Sequence, residues 1–462
     1  SDERTNYYST RMGFDVFRFL SFTPTYSLNR VYERRIMSDL TTFSYPKSLQ
    51  QTAGFNAYIN LAKWFSPSIN YSITTNENNN INITTVTIGQ VTRRYDIGEM
   101  KTITRNSQGS IGFTFNASNI VPDVKGLRTL VINSNYQIQD GDQWNYVERS
   151  FDSKKYLWIR SLLKPSSDFA QRQSATMKDN YSINMRVQPF EGWRFSNDRF
   201  NPLTTLNLTS NFIYILQKNY TYDVLTKTVS KTLPDLSLSI SSMEDFFKIK
   251  KWVRSMAMNV KYSNKVDTVE KNSRDNTYNT SFEFLFYLLN FMSTTLSYNF
   301  QGGEKRDLRV NQIVQRNRKD SFLVQGTFDV KSYRFTPRID YSREYAEGVL
   351  GTVITNTTII TPSLLVRTDV KIPRTVKIPF MKETVFDNRI TWTTNTSYQL
   401  KRSRVSISDN NALFSLSSNA EIEASRNLRL SLNISVHRFW HKYLKQEDYI
   451  AYQFGTNLIF QF

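Results

Sequence analysis

Apolar and polar residues alternate along segments of about ten residues, and this period of two constrains the fold more than any other feature of the sequence. From Leu428 to Val436 every second residue is aliphatic, while the residues between them, and His437 after them, are polar or charged. Because successive side chains of a β-strand point to opposite faces, this segment predicts a strand with one apolar and one polar face. A soluble sheet on a core and a membrane barrel around a wet lumen both produce such strands.

The same design recurs in consecutive segments near the C-terminus and, more loosely, upstream. The clearest cases are Ile390 to Leu400, Ala412 to Ala424, Leu428 to His437 and Ile450 to Phe462. Their length matches the roughly 9 to 11 residues that a tilted strand needs to cross a bilayer. We therefore predict an all-β fold, an antiparallel transmembrane β-barrel of roughly 16–18 strands. Residues 1–462 would form a single barrel or the C-terminal part of a larger one, with long loop inserts at 76–108 and 140–180.

Composition excludes several alternatives. The chain contains 32 Phe, 26 Tyr and 7 Trp, yet its mean hydropathy is −0.48, as expected where polar residues fill every second position. No segment holds the roughly 18 to 20 uninterrupted apolar residues of a transmembrane helix. Cysteine is absent and there are only two histidines, so we predict no disulfide, no metal site and no cofactor.

The chain is basic, with 59 Lys and Arg against 40 Asp and Glu and a net charge of +19. Such an excess favours an anionic partner, for example lipopolysaccharide phosphate or an acidic transported chain. The basic residues are dispersed through loops and strand faces and do not gather beside an aromatic platform, so nucleic acid is not predicted as a partner.

Short and long connections alternate between the predicted strands, as they do in outer-membrane barrels. Tight connections are predicted near Asn290, at Lys331 to Tyr333 and after Ala424. Longer polar connections are predicted at Gln301 to Asp320, Ala346 to Val353, Ser403 to Asn411 and His441 to Asp448. Two segments fit less simply: the basic connection Lys371 to Phe386, and residues 149–169, which resemble a short helix over a loop.

The parity of each strand assigns residues to the two faces. The predicted lumen-facing residues are polar or charged: Arg389, Lys401, Arg429, Asn433, His437, Gln453 and Asn457. The predicted lipid-facing residues are aliphatic or aromatic: Leu428, Leu430, Leu432, Ile434, Val436, Trp392, Tyr398 and Tyr452. The inward set predicts a hydrated, mostly cationic wall that favours anions.

The final strand resembles the recognition signal of bacterial outer-membrane barrels, in which a terminal Phe follows apolar residues at alternate positions. The matching residues are Phe454, Leu458, Phe460 and Phe462. The resemblance implies an outer-membrane location, contact with membrane lipid and lipopolysaccharide, and the barrel-assembly machinery as a partner.

A narrower resemblance covers about the last 230 residues. The segments "LPDLSLSISSMEDFFKIKKW" and "IPFMKETVFDNRITWTTNTSYQLKRSR" look like the C-terminal part of SprA-type proteins. That family implies a very large barrel that acts as the translocon of type 9 secretion, with secreted protein cargo and other secretion components as partners. Lipopolysaccharide-assembly barrels of the LptD type are a rival within the same class.

Two other functions are open alternatives. Numerous Asn-x-Ser/Thr triplets suit a soluble or surface-layer adhesin, although Asn433 lies inside a predicted strand. A hydrolase would use His437 as its base, with Glu421 or Glu423 as the group that orients the imidazole. Nothing marks a nucleophile among so many serines, so we predict no enzymatic activity and no catalytic residue.

Overall fold

The structure is a computed structural model, and the chain separates into two compact units. It describes residues 2–17, 19–36, 42–79, 85–88, 91–94, 100–148, 150–151, 171–222, 224–289, 291–371, 389–425 and 428–460. The first unit contains residues 1–187, 209–235 and 265–274, and the second contains residues 188–208, 236–264 and 275–462. The strands β11 to β14 contribute residues to both units.

Twenty-two strands are described, and most are 14 to 19 residues long. Their bounds are β1 Asp2–Arg11, β2 Phe14–Phe17, β3 Leu20–Ile36, β4 Thr42–Ile59, β5 Phe65–Asn79, β6 Thr85–Ile88, β7 Val91–Arg94, β8 Met100–Asn116, β9 Val131–Glu148, β10 Gln171–Val187, β11 Asn207–Thr221, β12 Val224–Ile240, β13 Val253–Val269, β14 Ser273–Leu288, β15 Met292–Asp307, β16 Gln312–Val330, β17 Tyr333–Glu347, β18 Val353–Lys371, β19 Arg389–Ser403, β20 Asn411–Ser425, β21 Leu428–His441 and β22 Tyr449–Phe460.

Helices are short and lie between strands. The α-helix α1 covers Met243–Phe247, and 3-10 helices cover Ala117–Asn119, Leu127–Thr129, Asp198–Thr205, Val349–Gly351 and Lys445–Glu447. Within the described ranges, none of these helices has the length and apolar character needed to cross a membrane.

The first unit is built on an antiparallel ladder. β3 pairs with β4 on one side and with β1 and then β2 on the other, so β1 and β2 act as one interrupted strand. From β4 the ladder continues through β5, β8 and β9 to β10. The short strands β6 and β7 pair with each other in a separate two-stranded sheet.

The second unit contains a second antiparallel ladder, in which each strand from β15 to β22 pairs with the next along the chain. The predicted all-β, antiparallel fold class is therefore confirmed. Among the described residues, twenty strands remain when β6 and β7 are set aside, slightly more than the roughly 16–18 that were predicted.

The connection predicted at Gln301 to Asp320 is wrong in extent. β15 continues to Asp307 and β16 begins at Gln312, so only residues 308–311 connect them. Backbone hydrogen bonds do not depend on side-chain polarity, and these polar residues extend the ladder beyond the alternating segments. By contrast, residues 331–332 form the tight connection that was predicted between β16 and β17.

The two predicted inserts contain strand residues at both ends. β5 extends to Asn79 and β8 begins at Met100, while β9 extends to Glu148 and β10 begins at Gln171. The helix suggested within 149–169 and the basic connection from Lys371 to Phe386 lie almost entirely outside the described residues.

Buried side chains are few and local. In the first unit Ile103, Trp144 and Val147 form one small core, and the facing strands β8 and β9 also bury an ion pair. In that pair Arg105 lies opposite Asp142, with Nη2 at 3.0 Å from Oδ2, and the two side chains are 4% and 0% exposed. The hydrophobic alternation did not predict this pair, because both residues lie at alternate positions that apolar residues occupy elsewhere in β8 and β9.

Candidate functional site

The register of the second ladder separates the residues predicted to face the lumen from those predicted to face lipid. Leu432 lies opposite Ala420 and Thr456, whereas its neighbour Asn433 lies opposite Asn419 and Gly455. Following the register from strand to strand places six of the predicted lumen-facing residues on one face, here called the polar face: Lys401, Arg429, Asn433, His437, Gln453 and Asn457. Seven of the predicted lipid-facing residues lie on the other: Trp392, Tyr398, Leu430, Leu432, Ile434, Val436 and Tyr452. The side chains of Arg389 and Leu428 lie outside the described part of the structure. That the two faces meet a lumen and lipid stays a prediction.

The face opposite the polar face carries a band of apolar side chains, here called the apolar band. It runs from Phe322 to Val330 in β16, from Tyr333 to Tyr341 in β17 and, among the described side chains, from Leu430 to Val436 in β21. In β16 and β17 it spans about nine residues, the length of a tilted strand that crosses hydrocarbon. Charged residues end the band on this face: Asp320 lies opposite Arg343 just beyond it, and Arg438 follows Val436 by two residues.

Aromatic rings lie in rows at both edges of the band. Tyr298, Phe322 and Tyr341 are aligned in register at the edge nearest the charges. At the opposite edge Phe328 stacks on Phe335, with ring centroids 5.5 Å apart. Paired aromatic rows around an apolar band are typical of transmembrane barrels, since these rings favour the boundary between lipid and water.

The described aliphatic and aromatic side chains of the band are exposed or half-buried. Tyr452 and Phe454 are 75% and 68% exposed, and Leu364, Ile339 and Phe322 are also exposed. Soluble monomers rarely expose contiguous apolar surface of more than a few hundred Å². The band therefore requires a covering, and its height matches that of a bilayer core.

The polar face carries amides, hydroxyls and ion pairs. Arg334 donates to Asp329 at 2.9 Å and Arg338 donates to Asp340 at 2.6 Å. Lys401 donates to the loop residue Asp409 at 2.6 Å, and this hydrogen bond lowers the pKa of the Asp409 carboxyl. The face is thus polar, and part of its positive charge is neutralised by neighbouring carboxylates.

The structure does not assemble the hydrolase site. His437 Nδ1 lies 3.0 Å from Ser415 Oγ across the β20–β21 pair. Glu421, however, lies opposite Ser431, six residues along β21 from His437 and about 20 Å away at the rise of a strand. The Glu421 carboxylate therefore does not orient the imidazole, and the backbone of Glu423 pairs still farther along, opposite Arg429.

The first unit repeats the two-faced design and adds a concavity. Apolar residues align across six strands: Phe22, Ala57, Ile69, Ile111, Tyr136 and Tyr181. Residues of the opposite parity supply most of the lining of a pocket of about 670 Å³ whose walls are mainly amides and hydroxyls. Two adjacent rows of the ladder supply much of it, with Ser72, Gln108, Gln139 and Lys178 in one row and Thr74, Asn106 and Thr176 in the next. The sequence signal for this pocket was the run of Ser, Thr, Asn and Gln at alternate positions.

A buried histidine ties two loops of the second unit together, and sequence reasoning treated it only as a loop boundary. His441 has no exposed surface. Its Nδ1 accepts hydrogen bonds from the backbone N–H groups of Tyr443 and Leu444, at 3.1 and 2.6 Å. Its Nε2 lies 3.0 Å from the carbonyl oxygen of Ser408 in the preceding loop. An Nδ1 that accepts two hydrogen bonds carries no proton, so Nε2 is the donor to Ser408.

The residues of the proposed assembly signal are described only in part. Phe454 and Leu458 are exposed and lie on the face that carries the apolar band. Phe460 lies opposite Leu428 in the backbone ladder, and Phe462 lies outside the described residues.

No protein-family model matches the chain, and no curated protein matches it. Solved structures with a similar course include the siderophore receptor PirA from Acinetobacter baumannii, at 8% identity and a TM-score of 0.38, covering 98% of this chain and 73% of that one. The FrpB iron transporter from Neisseria meningitidis matches at 8% identity and a TM-score of 0.35, over 100% and 81% of the two chains. The outer-membrane transporter YddB from Escherichia coli matches at 7% identity and a TM-score of 0.33, over 99% and 74%.

Scores this low carry no argument about the function of the present chain. The matches give no support to the specific SprA-type or LptD-type resemblance.

Proposed function

We propose that the chain is a β-barrel of the bacterial outer membrane and that it acts as a transport channel. One observation carries the proposal: the second ladder has an exposed apolar band of bilayer height on one face and a polar face on the other. In an adhesin or another soluble sheet protein the apolar face would be buried against a core. Here the described hydrophobic members of the band are exposed or half-buried.

A matched pair of substitutions tests which face meets lipid. Leu432→Arg places a charge in the middle of the apolar band and should impair insertion, because a charge at the bilayer midplane costs ~2–4 kcal/mol. Asn433→Arg adds the same side chain one residue away on the polar face, where its partner on β22 is Gly455, and should be tolerated. Gel mobility of unboiled samples after refolding into vesicles would report insertion. Equal tolerance of both substitutions would contradict the proposal.

The finer proposal is a conduit for secreted proteins with a hydrated, cationic lumen. It is supported by the resemblance of residues 233–252 and the C-terminal strands to SprA-type translocons, and by the basic net charge. Lipopolysaccharide, the barrel-assembly machinery and other secretion components would be its partners.

Polymer exclusion in planar bilayers separates the conduit from a solute channel. A protein conduit admits large neutral polymers, which then lower its conductance, whereas a solute channel excludes them. The cationic lumen predicts a reversal potential of the sign expected for anion preference. Because Arg334, Arg338 and Lys401 are paired with carboxylates, that preference should be weak.

A further inference from the structure

Two connections of the second unit form a cluster of aromatic rings, here called the aromatic platform. They are residues 188–206, between β10 and β11, and residues 241–252, between β12 and β13. Ring centroids 5.5 to 6.4 Å apart link its six rings in sequence: Phe190, Trp193, Phe195, Phe200, Phe246 and Phe247. The platform is thus one contiguous surface made by segments about 50 residues apart in the chain.

A small buried core fixes the platform to the strands. Leu206, Ile240 and Met243 are each less than a tenth exposed, and Phe190 and Phe246 pack against them from the platform side. The 3-10 helix Asp198–Thr205 carries Phe200, and α1 carries Phe246 and Phe247. Arg199 Nε donates to the carbonyl oxygen of Phe246 at 2.8 Å. The arrangement is therefore a packed structural element and not a pair of loose loops.

The platform continues the face that carries the apolar band. Met256 and Met258 of β13 pack against its core, and they alternate with Asn259, whose side chain donates to Glu283 of β14. Tyr278 lies on the face of β14 opposite to Glu283. Its ring contacts Phe300, which lies on the face of the apolar band. Met256 and Met258 therefore have the parity of the apolar band, and the platform lies where that face ends.

The outer surface of the platform is unusually apolar for a connection. Trp193, Phe200 and Phe247 are 48%, 40% and 47% exposed, and the adjoining Trp252 is 58% exposed. Exposed lysines follow directly, at Lys248, Lys250 and Lys251, and the Lys251 ammonium lies 5.9 Å from the Trp252 ring. Exposed rings with lysines beside them match the composition of segments that lie in the membrane interface, where rings enter the acyl boundary and ammonium groups reach headgroup phosphates.

The platform lies at the end of the strands where β14 turns into β15. The N–H of Leu289, in that connection, donates to the carbonyl oxygen of Trp252 at 2.8 Å. We infer that the aromatic platform rests in the headgroup region of the leaflet at this end of the strands and binds the lipid surface beside the barrel wall. The inference rests on the proposed membrane function, because the lipid it contacts is the one that surrounds the apolar band.

Site-specific labelling tests the inference on the full chain, which contains no cysteine of its own. Phe247→Cys, Ile434→Cys and Leu350→Cys would each carry one environment-sensitive dye in vesicles of phosphatidylethanolamine and phosphatidylglycerol. Ile434 reports the apolar band and is 41% exposed, whereas Leu350 is 97% exposed in the connection between β17 and β18. In these vesicles the emission of the dye at 247 should shift to the blue. Lipids with a nitroxide near the headgroup should quench the dye at 247, lipids with a nitroxide in the acyl chain should quench the dye at 434, and neither should change the dye at 350.

The three positions separate the possible failures. Quenching at 434 without quenching at 247 would overturn the platform inference and leave the membrane function standing. A dye at 247 that is blue-shifted but not quenched would show that protein covers the platform, either a partner or a second copy, and would also overturn it. Absence of quenching at both 434 and 247 would refute the membrane function and the inference together.

Discussion

The hydrogen bonds that tie residues 442–444 to His441, here called the loop clamp, give the magnitude of one prediction. His441→Ala removes the acceptor of two backbone N–H groups, those of Tyr443 and Leu444. Each such bond contributes about 1 kcal/mol net, so opening of residues 442–444 becomes about 2 kcal/mol easier. Because 1.4 kcal/mol is a factor of ten, amide exchange at Tyr443 and Leu444 should accelerate about 30-fold.

Hydrogen exchange read by mass spectrometry of peptides that cover residues 436–450 would measure this change. The matched control is His437→Ala, which removes the chain's other histidine. The imidazole of His437 contacts the hydroxyl of Ser415 and not the backbone of residues 443 and 444. The control should leave exchange at residues 443 and 444 as in the parent chain. Unchanged exchange in His441→Ala would refute the clamp, and equal acceleration in both variants would show that it is not specific to His441.

Two further predictions concern close packing and pH. Gly302→Ala should destabilise the chain by about 1–3 kcal/mol in denaturant unfolding, because the added Cβ would lie 2.4 Å from the ring of Tyr278. Gly455→Ala is the control and should leave the stability unchanged, because no heavy atom lies within 4 Å of its added Cβ. The hydrogen bonds from Arg309 hold the pKa of Asp307 at about 2, below its usual 3.8. The stability that this carboxylate contributes is therefore fully present above pH 3.8 and is lost as the pH falls through about 2. A carbon-13 titration of labelled aspartate, assigned with Asp307→Asn, would contradict this if the midpoint fell near 3.8.

Chain-local rules made the strands and their faces predictable. Side chains of a strand alternate whatever the strand pairs with, so parity alone assigned Leu432 and Asn433 to opposite faces before any partner strand was known. The same rule identified the strands from residue 390 onward, where alternation is strict. It failed from Gln301 to Asp320, because strand pairing there is maintained by backbone hydrogen bonds and leaves no mark in side-chain polarity.

The sequence by itself thus determined the all-β class, most of the strands and the two faces, since these depend on neighbours within one strand. Only the tertiary structure decided the features that depend on register between strands. It placed Asp320 opposite Arg343 at the edge of the apolar band and paired Arg105 with Asp142. It also buried His441 between two loops. The tertiary structure also decided the aromatic platform. Its rings come from two connections between strands, where side-chain alternation predicts nothing, and only the fold brings them into one surface.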